Sequence, residues 1–150
     1  MSIHVSRAFL GLVVLMLAAC AKSPSSGIKI EDAWSPAAPP GAAALAVYAQ
    51  IVPAQDDTLL RVSSPAAAKA ELHATLEHNG MTQMRPVGAM PITDGTTVKL
   101  EPGGMHLMLM GPRESVAAGA TIPVVFHFAK AGDVTVNAQV RAPGEAHAHH

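Results

Sequence analysis

The 150-residue sequence predicts an all-β sandwich, and three observations carry that prediction. Period-two apolar patterns and β-branched residues dominate the chain beyond residue 27. Turn signals built on Gly, Pro, Asn and Asp cut these patterns at short intervals. Aromatics make up only 3% of the residues, so the core must be assembled from Val, Ile and Leu, which pack well in strands.

Taken in order, residues 28–35 and 43–52 alternate as strands and are separated by the Pro-rich stretch 36–41. Residues 58–63 follow a turn at 53–57. An Ala-rich run at 66–70 is expected to form a short helical turn. Residues 70–78 and 81–87 flank Asn79-Gly80, the strongest short-range hairpin signal. Residues 97–100 follow Asp94-Gly95. Residues 105–110 lie between Pro102-Gly103-Gly104 and Gly111-Pro112. Residues 121–129 and 134–141 are joined across 131–133. No internal repeat is present.

The N-terminus reads as an address. Arg7 supplies a positive start, and residues 8–19 form an apolar stretch too short to span a bilayer, which takes roughly 20 apolar residues. It ends in Leu17-Ala18-Ala19-Cys20, which resembles a bacterial lipobox. Residues 1–19 are then a lipoprotein signal peptide, and residues 20–27 are the lipidated Cys20 and a Ser/Pro/Gly linker. Residues 28–142 form the β-sandwich domain, and 143–150 a flexible His-rich tail. The expected location is the bacterial cell envelope, facing the periplasm and held by lipid. Ala21 replaces the Asp that retains lipoproteins at the inner membrane, which favours the outer one. Cys20 is the sole cysteine, so its lipidation would leave no disulfide, thiol redox motif or thiolate metal site in the domain.

A net charge of -1 without a basic stripe argues against nucleic acid as a partner. Six of the eight methionines fall between Met81 and Met110, and the chain has eight histidines. A two-residue turn at Asn79-Gly80 sets His78 opposite Met81 and Thr75 opposite Met84. His73, Thr75 and Met84 then share a face, with His73 and Met84 as diagonal neighbours. His106 and Met108, two apart on one strand, also share a face. Two imidazoles and two thioethers are neutral, soft-to-borderline donors that select Cu(I) over Cu(II). Thioethers also persist where a thiol would oxidise.

The spacing His73-x10-Met84-x21-His106-x-Met108 resembles the signature of the PCuAC family of periplasmic copper chaperones. The strings Glu71-Leu72-His73, Met84-Arg85-Pro86-Val87 and Pro102-Gly103-Gly104-Met105-His106-Leu107-Met108-Leu109-Met110 are similar to that family too. The resemblance runs from about Ile28 to Val140. It implies a cupredoxin-like, Greek-key β-sandwich that binds one Cu(I) near the surface through His73, Met84, His106 and Met108. It further implies delivery of copper toward the CuA centre of cytochrome c oxidase, alongside a Sco-type thiol protein.

Other residues read more plainly. Met84 and Met108, taken alone, serve equally as core filler. Met105 faces Leu107 and Leu109, toward the core. Met110 shares the face of His106 and Met108. Strict alternation puts Met81 opposite Met84, His78 is a solvated turn neighbour, and Met90 is unassigned. His127 reads as a structural histidine, and Trp34 as a packing residue. Asp56-Asp57 and Glu31-Asp32 are ordinary acids. His147, His149 and His150 form either a nonspecific polar end or a weak second site for Cu(II). Three alternatives stand beside the carrier. An electron-transfer cupredoxin lacks its Cys ligand here. For an enzyme, neither a Gly-x-Ser-x-Gly nor a His-Glu-x-x-His motif occurs, and an oxidase or monooxygenase would need an open coordination position and a substrate pocket. Envelope copper storage or resistance, or a purely structural lipoprotein, needs no metal transfer.

Overall fold

The computed structural model describes residues 27–145. The expected signal peptide, Cys20 and the tail histidines His147, His149 and His150 lie outside the described residues. Ten strands follow one another: β1 (Ile28–Pro36), β2 (Ala44–Pro53), β3 (Asp57–Ser63), β4 (Ala67–His78), β5 (Met81–Val87), β6 (Met90–Ile92), β7 (Val98–Leu100), β8 (Met105–Pro112), β9 (Thr121–Phe128) and β10 (Gly132–Arg141). The hydrogen-bonded order is β5-β4-β8-β2-β1-β10-β9-β3-β6, with β7 also on β2. All pairings are antiparallel except β1 with β10. The fold is the all-β, cupredoxin-like sandwich. Among the described residues no helix is long and apolar enough to cross a membrane.

The strand β2 connects the two layers. Its first half, Ala44 to Val47, pairs with β8, and its second half pairs with β1 and β7. Every second residue of β2 is buried, so Leu45 and Val47 serve the first layer and Ala49 and Ile51 the second. Leu72 of β4 and Leu107 and Leu109 of β8 close the core from one side, and Val124, Phe126 and Phe128 of β9 close it from the other. Each such side chain contributes roughly 1.5–3 kcal/mol by leaving water. Alternation therefore fixes which residues of β4 and β8 face outward: Glu71, His73 and Thr75 on one strand, His106, Met108 and Met110 on the other.

The sequence expectation differs from the structure at three places. The Ala-rich run 66–70 is no helical turn: β4 begins at Ala67, whose partner is Pro112, so main-chain pairing with β8 overrides the helical preference of alanine. Met90 belongs to the short strand β6 and packs in the core opposite Leu59, which a three-residue strand containing Pro91 does not advertise. Asp57 opens β3, so it is a strand-edge acid as the sequence allows, but not an ordinary one. Its carboxylate is buried and accepts the N–H groups of Thr58, Lys130 and Ala131. Burial would raise its pKa; the Ala131, Thr58 and Lys130 N–H groups and the Lys130 charge outweigh burial and hold it below the usual carboxylate value.

Candidate metal centre

The hairpin β4–β5 is built on Asn79 and Gly80, both with positive φ (52° and 74°), as a two-residue primed turn requires. The pairing then runs without slippage from His78–Met81 through Thr75–Met84 to Leu72–Val87. On its other edge β4 pairs with β8, and His73 stands directly opposite His106, with Glu71 opposite Met108. His73, Met84, His106 and Met108 consequently lie on one outward face of three adjacent strands. Met84 and Met108 are both diagonal neighbours of His73, about 7–8 Å away by strand geometry, and they approach it from opposite sides.

The two imidazoles sit with ring centroids 6.0 Å apart, edge to face. Each has one ring nitrogen engaged and one free for a ligand role. His106 Nδ1 donates to the Gly104 carbonyl (3.2 Å), which leaves Nε2 as the lone-pair nitrogen. His73 Nε2 donates to Glu71 Oε2 (3.1 Å), and its Nδ1 is buried without any hydrogen-bond partner. A buried ring nitrogen left unpaired costs on the order of 1–3 kcal/mol. A metal ion would relieve that cost, and histidine ligands ordinarily donate their second nitrogen to a carboxylate or a backbone carbonyl, as both do here.

The surroundings hold this arrangement. Lys69 pairs with Glu71. The hydrogen bond from Lys69, followed by that from His73, keeps the Glu71 carboxyl below its ordinary range. The Pro102-Gly103-Gly104 loop turns tightly through Gly103 at φ 80°, a conformation suited to glycine. The Gly104 carbonyl also accepts Thr75 N–H, so one peptide group ties β4 to the loop that delivers His106. Tyr48 on β2 lies 6.4 Å from the His106 ring, and Trp34 lies 4.7 Å from Tyr48, with the Arg141 guanidinium over Trp34. This aromatic row covers His106, which is only 4% exposed, and burial pushes the Tyr48 phenol up. Met84, by contrast, is 58% exposed on the edge strand β5.

Among the described residues, no group of three or more His, Cys, Asp or Glu side chains is placed to hold a metal. The sulfur donors that share this face with the two imidazoles are the thioethers of Met84, Met108 and Met110. The remaining candidates fall elsewhere. Met81 is opposite Met84 in facing, as alternation requires, and pairs with exposed His78. Met110 shares the face of Met108 opposite Lys69, and Met105 packs against the core. His127 has both nitrogens engaged, by Ser63 Oγ (2.8 Å) and Asp133 Oδ1 (2.6 Å).

Residues 28–140 match the family described as "Putative lipoprotein LpqE-like". The chain belongs to the LpqE-like lipoprotein family. A relative from Leifsonia xyli subsp. xyli, "Putative lipoprotein Lxx21020", is 33% identical over 132 residues, covering 83% of this chain and 78% of the relative. Among solved structures, the copper-bound PCuAC domain from PmoF2 superposes with a TM-score of 0.65 at 27% identity, covering 78% of this chain and 94% of that domain. The CuI-DR1885 solution structure from Deinococcus radiodurans gives a TM-score of 0.59 at 25% identity, covering 82% and 83%. Apo-DR1885, at 23% identity and a TM-score of 0.63 over 97% of this chain and 99% of that one, shares the fold.

Proposed function

We propose that this member of the LpqE-like family is a copper(I) carrier of the cell envelope, with His73, Met84, His106 and Met108 as ligands. One observation carries the reading: His73 and His106 face each other with one nitrogen of each oriented by a hydrogen bond, and His73 Nδ1 is buried with no hydrogen-bond partner among the described residues, on the face that also carries Met84 and Met108. The similarity to a copper-bound PCuAC domain supports it. The lipoprotein family supports attachment to an envelope membrane; in this proposal Cys20 carries the lipid, the domain faces the periplasm and the outer membrane is its destination.

The chemistry suits carriage rather than catalysis. Four neutral ligands leave only the charge of the ion at the site, which favours Cu(I). The imidazoles are held by Glu71 and Gly104 and form the fixed half of the site. Met84, on an exposed edge strand, is the half that yields first. An acceptor thiolate or imidazole displaces this thioether, then Met108, and the ion passes across by stepwise exchange without appearing free. No electron moves and no bond within the protein breaks. The recipient in this proposal is the CuA centre of cytochrome c oxidase, with a Sco-type thiol protein as co-worker. The tail histidines offer a weak second site for Cu(II).

Titration with Cu(I) under reducing conditions, against a competing chromophoric chelator, tests the reading. One equivalent should bind tightly and perturb the fluorescence of Trp34, the single tryptophan, at the end of the aromatic row over His106. Failure to retain copper against the chelator would favour a structural lipoprotein.

A further inference from the structure

Pairing of β4 with β8 stops at Ala74, but pairing of β4 with β5 continues to His78. Residues 76–83 therefore form a two-stranded arm beyond the sandwich. One face of this arm carries Met84 at its base. The other face carries Leu76, His78 and Met81. Leu76 and Met81 are 48% and 60% exposed, and His78 is exposed as well. No hydrogen bond or ion pair engages His78 among the described residues. Glu77, the preceding residue, points to the opposite face with its partner Thr82.

His78 and Met81 are a directly opposed pair, locked in register by the Asn79-Gly80 turn. Such pairs have Cβ atoms about 4.5–5.5 Å apart. Metal–nitrogen and metal–sulfur bonds of about 2.0–2.3 Å place two donors on one ion about 4 Å apart. An imidazole and a thioether at this spacing can therefore close on a single ion. The thioether is a soft donor, so the pair favours a soft monovalent ion over a harder divalent one.

We propose that His78 and Met81 form a second, two-donor site for a soft monovalent cation, Cu(I) or Ag(I), at the tip of the arm. Its role extends the carrier reading and rests on it. The tip is the part of the arm farthest from the last β4–β8 pair. With two donors in place of four, the site holds its ion more weakly and exchanges it faster than the His73–His106 centre. It differs from the tail histidines in having a sulfur donor.

The test is an Ag(I) titration of the protein followed by NMR of the methionine methyls and histidine rings. The first equivalent should move the Met84 and Met108 methyls. Further Ag(I) should move the Met81 methyl and the His78 ring together. That second step should vanish in the H78A/M81A double variant, both positions being exposed and outside the core, and should persist in H147A/H149A/H150A. An unmoved Met81 methyl through several equivalents, or a second step that survives H78A/M81A, would overturn the proposal. A response at Met81 without one at Met84 and Met108 would instead sink the carrier centre and leave the tip site standing.

Discussion

His73 and His127 both stand on outward faces of the sandwich, one on β4 and the other on β9, and their circumstances diverge. His127 is clamped at both nitrogens, by Ser63 from β3 and by Asp133 from β10. Nearby, Asp57 receives three backbone N–H groups. Both side chains are satisfied by partners within the chain. On β4 the same residue type is held at one nitrogen only, and the other is buried and unpaired opposite a second histidine. On the proposed function, the difference separates a structural histidine from a ligand. Burial alone does not: their side chains are 14% and 12% exposed.

The comparison breaks most sharply at His106. His106→Ala should weaken copper binding by more than the roughly 10–100-fold that loss of an outer partner causes, measured by chelator competition. A preserved circular dichroism spectrum would confirm that the fold survives. At the other end, Asp57→Ala should leave copper affinity unchanged and cost about 2–3 kcal/mol in denaturant unfolding, by stranding N–H groups at the β3–β9 junction. The same carboxylate sets an acid limit. Its pKa is lowered in the folded state, so its stabilisation is complete above the unfolded value and is lost as pH falls below about 4, through the folded value. The Asp57→Asn variant should therefore lose less stability than the wild type over that range.

Glu71→Ala should reduce copper affinity about tenfold by freeing the His73 ring, with little change in unfolding midpoint because Glu71 lies at the surface. The smallest effect is expected for His127→Ala. It should lower stability by about 1 kcal/mol through two lost hydrogen bonds and leave the metal site untouched. A copper phenotype for His127→Ala would erase the distinction between the two regions.

Local chemistry explains which parts of this arrangement are legible in the sequence. Asn79-Gly80 fixes the hairpin register, and with it the diagonal placement of His73 and Met84, because a two-residue turn leaves no freedom to slip. Alternation likewise puts His106 and Met108 on one face. The pairing of β4 with β8, which brings His73 opposite His106, joins segments more than thirty residues apart. Only the spacing pattern points to it, and no local propensity does. The aromatic row of Trp34 and Tyr48 depends on a bulge at Asp32, where φ is 47° and the register of β1 shifts. The anchoring role of Asp57 depends on N–H groups of Lys130 and Ala131, far along the chain. Such long-range satisfaction of polar groups leaves no periodic trace.

X-ray absorption on the copper-loaded protein tests the central claim most directly. Wild type should show Cu(I) with nitrogen and sulfur shells, and the sulfur shell should shrink in Met84→Ala and again in Met108→Ala. A spectrum with no sulfur, or one left unchanged by both substitutions, would contradict a centre made from two imidazoles and two thioethers.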